Sequence, residues 1–225
     1  MFCSHCGAAA EGGALVCVQC GVDFQAKARP ALNTERAVAA SKDAVRAVKL
    51  MLRDPVGSIG AAHDALTARQ TLDVGIAFCL TFVVSALIAM RMIVRYVGGS
   101  FLSIGAKEVL QAALVALVPA ACITGILFGL QMLTVKRNDL PRAVFVGGAA
   151  LLPIAALNFV AGILGASNGE VIALVAVFSL CYMILLLYAG CRDVLKVVSP
   201  LAALSVPVIL LATGWLTKVI LAAIL

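Results

Sequence analysis

The chain has 225 residues, of which 63% are hydrophobic and only 12% are charged. A soluble domain of this size does not need so much apolar surface, and long uncharged runs are typical of membrane helices. Eight of the seventeen Lys and Arg residues and seven of the eleven acidic residues precede residue 74. Composition therefore excludes an ordinary soluble domain and predicts a mostly α-helical membrane protein with a polar N-terminal third.

The chain begins with a cysteine-rich stretch, FCSHCGAAAEGGALVCVQCG, at residues 2–21. Two C-x2-C pairs, Cys3 with Cys6 and Cys17 with Cys20, are each followed directly by a glycine. Two cysteines three positions apart on a tight turn can direct both sulfurs at one ion, and the glycine relieves backbone crowding there. Four thiolates form a closed tetrahedral site, which suits a structural Zn²⁺ ion. Residues 1–21 are therefore predicted to form a zinc ribbon, with iron as the minor alternative because S4 coordination suits both metals.

Two other interpretations of these cysteines are weaker. Disulfides are disfavoured because no cleavable signal peptide is expected before the first cysteine. Redox chemistry of the thioredoxin type is disfavoured because no βαβ pattern surrounds either pair. His5 lies between two of the cysteines, but four thiolates already fill the metal shell, so we expect His5 to be an exposed turn residue.

A linker at residues 22–32 is followed by predicted cytoplasmic amphipathic helices at residues 33–71. The first helix is expected to start at Asn33 or Thr34, which are good N-caps. Its apolar positions at heptad-like spacing are Val38, Val45, Val48 and Leu52. Its cations, which fall largely off that face, are Lys42, Arg46, Lys49 and Arg53. Such a helix either lies on an anionic membrane surface or packs against the rest of the protein. The basic amphipathic pattern is equally compatible with both positions.

A second, shorter helix is predicted from about residue 55 to residue 69, with Asp54 as its cap and Pro55 at its first position. His63 lies on this helix, and no second histidine and no cysteine lies nearby in the sequence. We therefore interpret His63 as a residue of the polar face.

Five membrane spans are predicted in a domain that covers residues 72–225. Each approaches or exceeds the roughly 20 residues that cross a bilayer core. The connections are short, so neighbouring spans are expected to be antiparallel. The predicted spans are residues 72–97, 109–135, 143–165, 171–190 and 197–217.

The distribution of cations predicts the orientation of these spans. With the N-terminus in the cytoplasm, thirteen Lys and Arg residues fall on the cytoplasmic side and four on the other side. This asymmetry fits the positive-inside rule. It also places the cysteine thiolates in a reducing compartment. Five spans then put the C-terminus outside.

Polar and small residues within the spans indicate contacts between helices more than a catalytic or transport site. Gly125 and Gly129 are four apart, which is the spacing at which helix pairs approach closely. Asn158 and Gln131 are neutral amides for which we expect interhelical hydrogen bonds, although they could line a substrate path in a transporter. The two histidines, His5 and His63, do not provide a Ser-His or Cys-His catalytic set. We therefore expect no enzymatic activity.

Two parts of the chain resemble known families. The motif formed by Cys3, Cys6, Cys17, Cys20 and the glycines after each pair is similar to the short zinc ribbons at the N-termini of bacterial membrane proteins, with Val18 in place of the usual proline. From about residue 50 onward, the stretch MLRDPVGSI, five spans and short loops resemble the Yip1 family. That resemblance implies a membrane-embedded adaptor that binds partners or shapes membranes, as eukaryotic members do with small GTPases. The expected location is the bacterial inner membrane.

Two function classes follow from these observations. The first is a non-enzymatic membrane adaptor or scaffold, in which the ribbon and the basic helix bind or sense a protein partner next to the lipid bilayer. The second is a small transporter or channel subunit with the ribbon as a regulatory element. A homo-oligomer is compatible with either class. A nucleic-acid partner is disfavoured because the ribbon has no Lys or Arg before Lys27.

Overall fold

The computed structural model describes residues 34–54, 57–98, 105–136, 139–164 and 168–224. The predicted zinc ribbon and linker lie outside these ranges. The chain divides into two compact units, Met1–Ala39 and Ala40–Leu225. The second unit contains all of the long apolar helices.

The described residues form helices and their connections, without a β-strand. A five-residue π-helical turn, Gly190–Val194, extends the sixth helix. The helices are α1 Thr34–Arg53, α2 Ser58–Asp64, α3 Ala68–Gly98, α4 Ala106–Val135, α5 Leu140–Leu164, α6 Gly169–Ala189 and α7 Ser199–Ile224.

Five of these helices are long and apolar enough to cross a membrane, which agrees with the predicted number of spans. Their apolar lengths are between 22 and 27 residues, and roughly 20 are needed. The spans are Ala68–Met92, Val109–Val135, Leu140–Leu164, Gly169–Val194 and Ser199–Ile220.

The first span begins four residues earlier than the apolar pattern predicts, because a capping box starts α3. The Thr67 backbone N–H donates to Gln70 Oε1 at 3.0 Å, and the Gln70 backbone N–H donates to Thr67 Oγ1 at 3.4 Å. These reciprocal bonds satisfy N–H groups that a helix start leaves without partners. Polar capping, and not hydropathy, therefore sets this helix boundary.

The second helix is shorter than predicted, since α2 covers only Ser58–Asp64. Asp54 uses its carboxylate to close the preceding turn: Oδ1 accepts a hydrogen bond of 2.9 Å from the Gly57 N–H. The helix then ends early because the Leu66 N–H bonds to the His63 carbonyl at 2.9 Å, which tightens the last turn.

The closest helix crossing in the bundle joins α3 and α5 at two glycines. A Cβ atom added to Gly148 would lie 2.6 Å from the Gly75 carbonyl oxygen, and one added to Gly75 would lie 2.8 Å from the Phe145 Cα. Only glycine permits such a close backbone approach. α5 is also the most buried of the five spans, at 56% of its apolar window. It therefore forms the centre of the bundle, against α3, α4 and α6.

The close helix approach expected at Gly125 and Gly129 does not occur within the described part of this chain. A Cβ atom added at either position would meet no heavy atom within 4 Å. α4 instead packs against α7 and α5 through other residues, including the buried Ile123 and Leu127. The four-residue spacing of the two glycines does not predict a close helix approach by itself, because it does not determine which face of α4 packs against the other helices.

The two amides within the spans behave differently. Asn158 Nδ2 on α5 donates to Ser85 Oγ on α3 at 3.2 Å, which confirms the expected interhelical hydrogen bond. Gln131 on α4 is fully buried, yet among the described residues neither Nε2 nor Oε1 has a hydrogen-bond partner. The expectation of an interhelical hydrogen bond is therefore not met at Gln131 in this part of the chain.

Candidate functional surface at the polar end

We call one end of the bundle the polar end. It contains residues 40–53 of α1, helix α2 and the connections that lead from α4 to α5 and from α6 to α7. Nine cations with described side chains occur in these segments and the adjoining helix ends: Lys42, Arg46, Lys49, Arg53, Arg69, Lys136, Arg142, Arg192 and Lys196. Three described cations, Arg91, Lys107 and Lys218, occur toward the opposite helix ends. The asymmetry in the sequence therefore corresponds to two different ends of the folded bundle.

Helix α1 contacts the bundle through a narrow face of small and flexible side chains. Ala47 is 3% exposed and Met51 is 2% exposed, and both belong to the hydrophobic core. The partly buried Ala44 and Val48 pack beside them. This face was not recognised in the sequence, because two alanines and a methionine do not stand out against the more hydrophobic valines.

The opposite face of α1 is exposed, and it is apolar and cationic at once. Val38, Val45 and Leu52 are 51%, 55% and 72% exposed. At 100° per residue these three positions share one side of the helix with the cations. The exposed cations on this side are Lys42, Arg46, Lys49 and Arg53. In this projection the cations lie beside the apolar positions and do not overlap them, as the spacing predicts, and we call this side the exposed α1 face.

A hydrogen bond between distant parts of the chain holds the C-terminal part of α1 in place. The Tyr182 hydroxyl on α6 donates to the Met51 carbonyl oxygen at 2.6 Å. Gln70 Nε2 near the start of α3 donates to Asp43 Oδ2 at 3.2 Å. Because these contacts attach to the buried side of α1 and to its flank, the exposed α1 face is left uncovered by the described residues.

Helix α2 rests on the π-helical turn. A Cβ atom added to Gly60 would lie 3.2 Å from the Asp193 Cβ, so glycine allows α2 to approach this turn closely. Asp193 in turn accepts a hydrogen bond of 2.7 Å from Arg192 Nε. The Arg192 guanidinium also lies over the Tyr188 ring, 5.6 Å from its centroid. These contacts fix one side of the polar end.

His63 lies in a small cavity of about 130 Å³ that Thr71, Asp139 and Arg142 also line. Its ring meets the Phe145 ring edge-on at 5.9 Å, and its Nδ1 lies 3.2 Å from Asp64 Oδ1. Within the described ranges, no three His, Cys, Asp or Glu side chains come together as metal ligands. His63 is therefore a half-buried residue packed at the polar end, whereas the sequence indicated only a residue of the polar face.

The predicted metal ligands, Cys3, Cys6, Cys17 and Cys20, lie outside the described residues. The zinc site thus stays a prediction of the cysteine spacing. The structure does place the four predicted membrane-surface cations on one exposed side of one helix, whereas Gly125 and Gly129 find no neighbour in the described chain.

Comparison with known proteins gives no relative for this chain. No family model, no curated protein and no solved structure matches it.

Proposed function

We propose that this protein is a non-enzymatic integral membrane adaptor or scaffold of Yip1-like type, in the bacterial inner membrane. The N-terminus is cytoplasmic and the C-terminus lies outside. In this proposal the N-terminal ribbon holds one Zn²⁺ ion and binds or senses a cytoplasmic protein partner. Helix α1 lies on the cytoplasmic leaflet between the ribbon and the membrane domain.

The observation that carries the proposal is the exposed α1 face. Its three apolar side chains are about half exposed or more, and four cations lie along one flank of them. None of the ion pairs among described residues involves Lys42, Arg46, Lys49 or Arg53. An apolar stripe flanked by unneutralised cations is the pattern of helices that lie in the headgroup region of anionic membranes.

A single introduced tryptophan tests this position of α1. Trp215 is the only tryptophan of the chain, so a Trp215→Phe, Val45→Trp protein reports from the exposed α1 face alone. In vesicles of brominated phosphatidylglycerol we expect strong quenching of its fluorescence. Changing Lys42, Arg46, Lys49 and Arg53 to Gln in the same protein should reduce the quenching. Equal, weak quenching in both proteins would place α1 away from the lipid.

The adaptor role is tested by removing residues 1–26. We expect the truncated chain to insert into membranes and to melt nearly like the full chain, because a linker separates the predicted ribbon from α1. It should lose a protein partner that the full chain retains on purification from native membranes. A truncated chain that keeps every partner would contradict the adaptor proposal.

The second candidate, a small transporter or channel subunit, is favoured by one observation. Gln131 is fully buried in a membrane span, and its amide has no hydrogen-bond partner among the described residues. An unsatisfied polar group there is costly, and such groups can mark solute paths. Solute flux into proteoliposomes that depends on Gln131, by comparison with Gln131→Leu, would support this function over the adaptor.

A further inference from the structure

A groove opens between α3, α4 and α7 at the end of the bundle opposite the polar end. It contains a cavity of about 480 Å³ that is lined by residues including Phe82, Leu87, Ala116 and Pro119. A second cavity of about 220 Å³ shares Leu87, Met90 and Ala112 with the first. The two cavities are therefore parts of one groove, whose volume lies in the range of about 300–1,000 Å³ that is usual for small-molecule sites.

The groove is lined mainly by hydrocarbon, which restricts what can occupy it. Ala86, Ala112 and Ala116 leave space between the helices because their side chains are short. The groove also lies along membrane spans, so its natural surroundings are lipid chains and not water. A free polar ligand would leave most of this surface unfilled, whereas an acyl chain would cover it.

A single cation marks one edge of the groove. Arg91 lines the smaller cavity beside Val109 and Ala112. It is the one charged residue among the described lining residues of the two cavities, and its side chain is exposed. No ion pair within the described ranges neutralises it. An uncompensated guanidinium at the mouth of an apolar groove favours a ligand with an anionic head, because arginine binds phosphate with several hydrogen bonds.

The Thr217 hydroxyl in the larger cavity lacks a hydrogen-bond partner in the part of the chain that the structure describes. Thr217 lines this cavity, and its Oγ1 is buried without a hydrogen bond among the described residues. Thr71, Thr81 and Thr134 on other helices each donate to the carbonyl four residues earlier, at 2.7–3.0 Å. Thr217 and Thr213, both on α7, depart from this pattern, and Thr217 is the one of the two that lines the cavity. A buried hydroxyl without a partner carries a cost that a ligand oxygen could remove.

We propose that this groove binds one anionic phospholipid. An acyl chain occupies the cavity between α3, α4 and α7, the phosphate contacts Arg91, and the Thr217 hydroxyl donates to an oxygen of the lipid. The site does not depend on the adaptor function, since it lies at the end of the bundle away from residues 40–53 of α1.

The test is lipid binding to the purified full chain in detergent, followed by native mass spectrometry. Phosphatidylglycerol and phosphatidylcholine with the same acyl chains, and inorganic phosphate, are titrated separately. We expect one phosphatidylglycerol to bind more tightly than phosphatidylcholine. Inorganic phosphate should neither bind nor compete. Equal binding of the two lipids, or competition by inorganic phosphate, would overturn the proposal.

Three variants assign the binding to the groove. Arg91→Gln should weaken phosphatidylglycerol binding about fivefold and phosphatidylcholine binding less, because the choline cation already offsets the phosphate charge. Lys218→Gln is the matched control, because Lys218 is exposed toward the same end but does not line the groove; it should bind like the parent. Ala112→Phe should reduce the binding of both lipids by filling the space.

A further variant addresses the case in which Ala112→Phe does not fold. Thr217→Val keeps the shape of the side chain and removes only the hydroxyl. It should weaken phosphatidylglycerol binding about fivefold without lowering the melting temperature. If Arg91→Gln and Thr217→Val both bind phosphatidylglycerol like the parent, the retained lipid is ordinary surface lipid and the proposed site does not exist.

Discussion

The Tyr182 hydroxyl donates a hydrogen bond of 2.6 Å to the Met51 carbonyl oxygen. These residues are 131 positions apart in the chain. Together with the burial of Ala47 and Met51, this bond joins the C-terminal part of α1 to a membrane span. A helix that could otherwise lie loosely on a surface is thereby held in a fixed rotation, with its cations outward.

Removing this hydroxyl should loosen α1. Tyr182→Phe is expected to lower the free energy of unfolding by about 1 kcal/mol and to speed hydrogen exchange of the amides in residues 44–53. Thr134→Val is the matched control, because the Thr134 hydroxyl donates only within its own helix, to Leu130 at 2.7 Å. Exchange in α1 that is unchanged in Tyr182→Phe would show that apolar burial alone holds the helix.

The α3–α5 crossing should not tolerate a methyl group. Gly148→Ala would place a Cβ atom 2.6 Å from the Gly75 carbonyl oxygen, and overpacking of this kind costs about 1–3 kcal/mol. We expect a clearly lower melting temperature in detergent. A melting temperature like that of the parent would mean that the two helices separate at little cost.

Gly125→Ala and Gly129→Ala are the controls for this crossing, because open space surrounds both positions in the described structure. They should melt like the parent. A change in oligomeric state, measured by light scattering in detergent, would show that these glycines pack between two copies of the chain.

The hydrogen bond from Asn158 to Ser85 should contribute little net stability. Asn158→Ala, Ser85→Ala and the double variant form a cycle whose coupling energy we expect to be about 0.6 kcal/mol, as for other hydrogen bonds between membrane helices. Unfolding in detergent mixtures measures it. A coupling energy near zero would indicate that Asn158 and Ser85, which are 3.2 Å apart in the folded chain, find equally favourable hydrogen-bond partners in the unfolded chain.

The cysteine spacing predicts one Zn²⁺ ion per chain. Elemental analysis of the purified protein should give close to one equivalent, which is lost when Cys6 and Cys20 become serine. Cys79→Ser and Cys181→Ser are matched controls, because these cysteines lie in membrane spans; they should retain the metal. Iron in place of zinc, or no metal in the parent, would refute the prediction.

The cation distribution predicts the topology. Reporter fusions after Thr71, Asn138 and Leu195 should report the cytoplasm. Fusions after Ser103, Asn168 and Leu225 should report the opposite side. The expectation follows from thirteen cations on one side against four on the other. A C-terminal fusion that reports the cytoplasm would mean that one of the five helices does not cross.

The number of spans and their approximate positions could be predicted from the sequence, because a bilayer sets the length of an apolar helix and every backbone group must be satisfied within it. Hydropathy is a local property, and it needs no knowledge of neighbours. The start of α3 was missed by four residues because the Thr67–Gln70 capping box, and not apolarity, begins the helix.

The tertiary structure decided which glycines lie at a close helix crossing and which side of α1 is exposed. Gly75 and Gly148 are 73 positions apart in the sequence, so no spacing pattern links them, whereas Gly125 and Gly129 have the expected spacing and no neighbour among the described residues. The rotation of α1 depends on Ala47, Met51 and Tyr182. The side chains of α1 that become buried are those that fit the surface of the bundle, and these are not the most hydrophobic ones. The sequence by itself determined five apolar helices and a cysteine motif with metal-ligand spacing; only packing between distant segments decided which helix faces meet and which stay exposed.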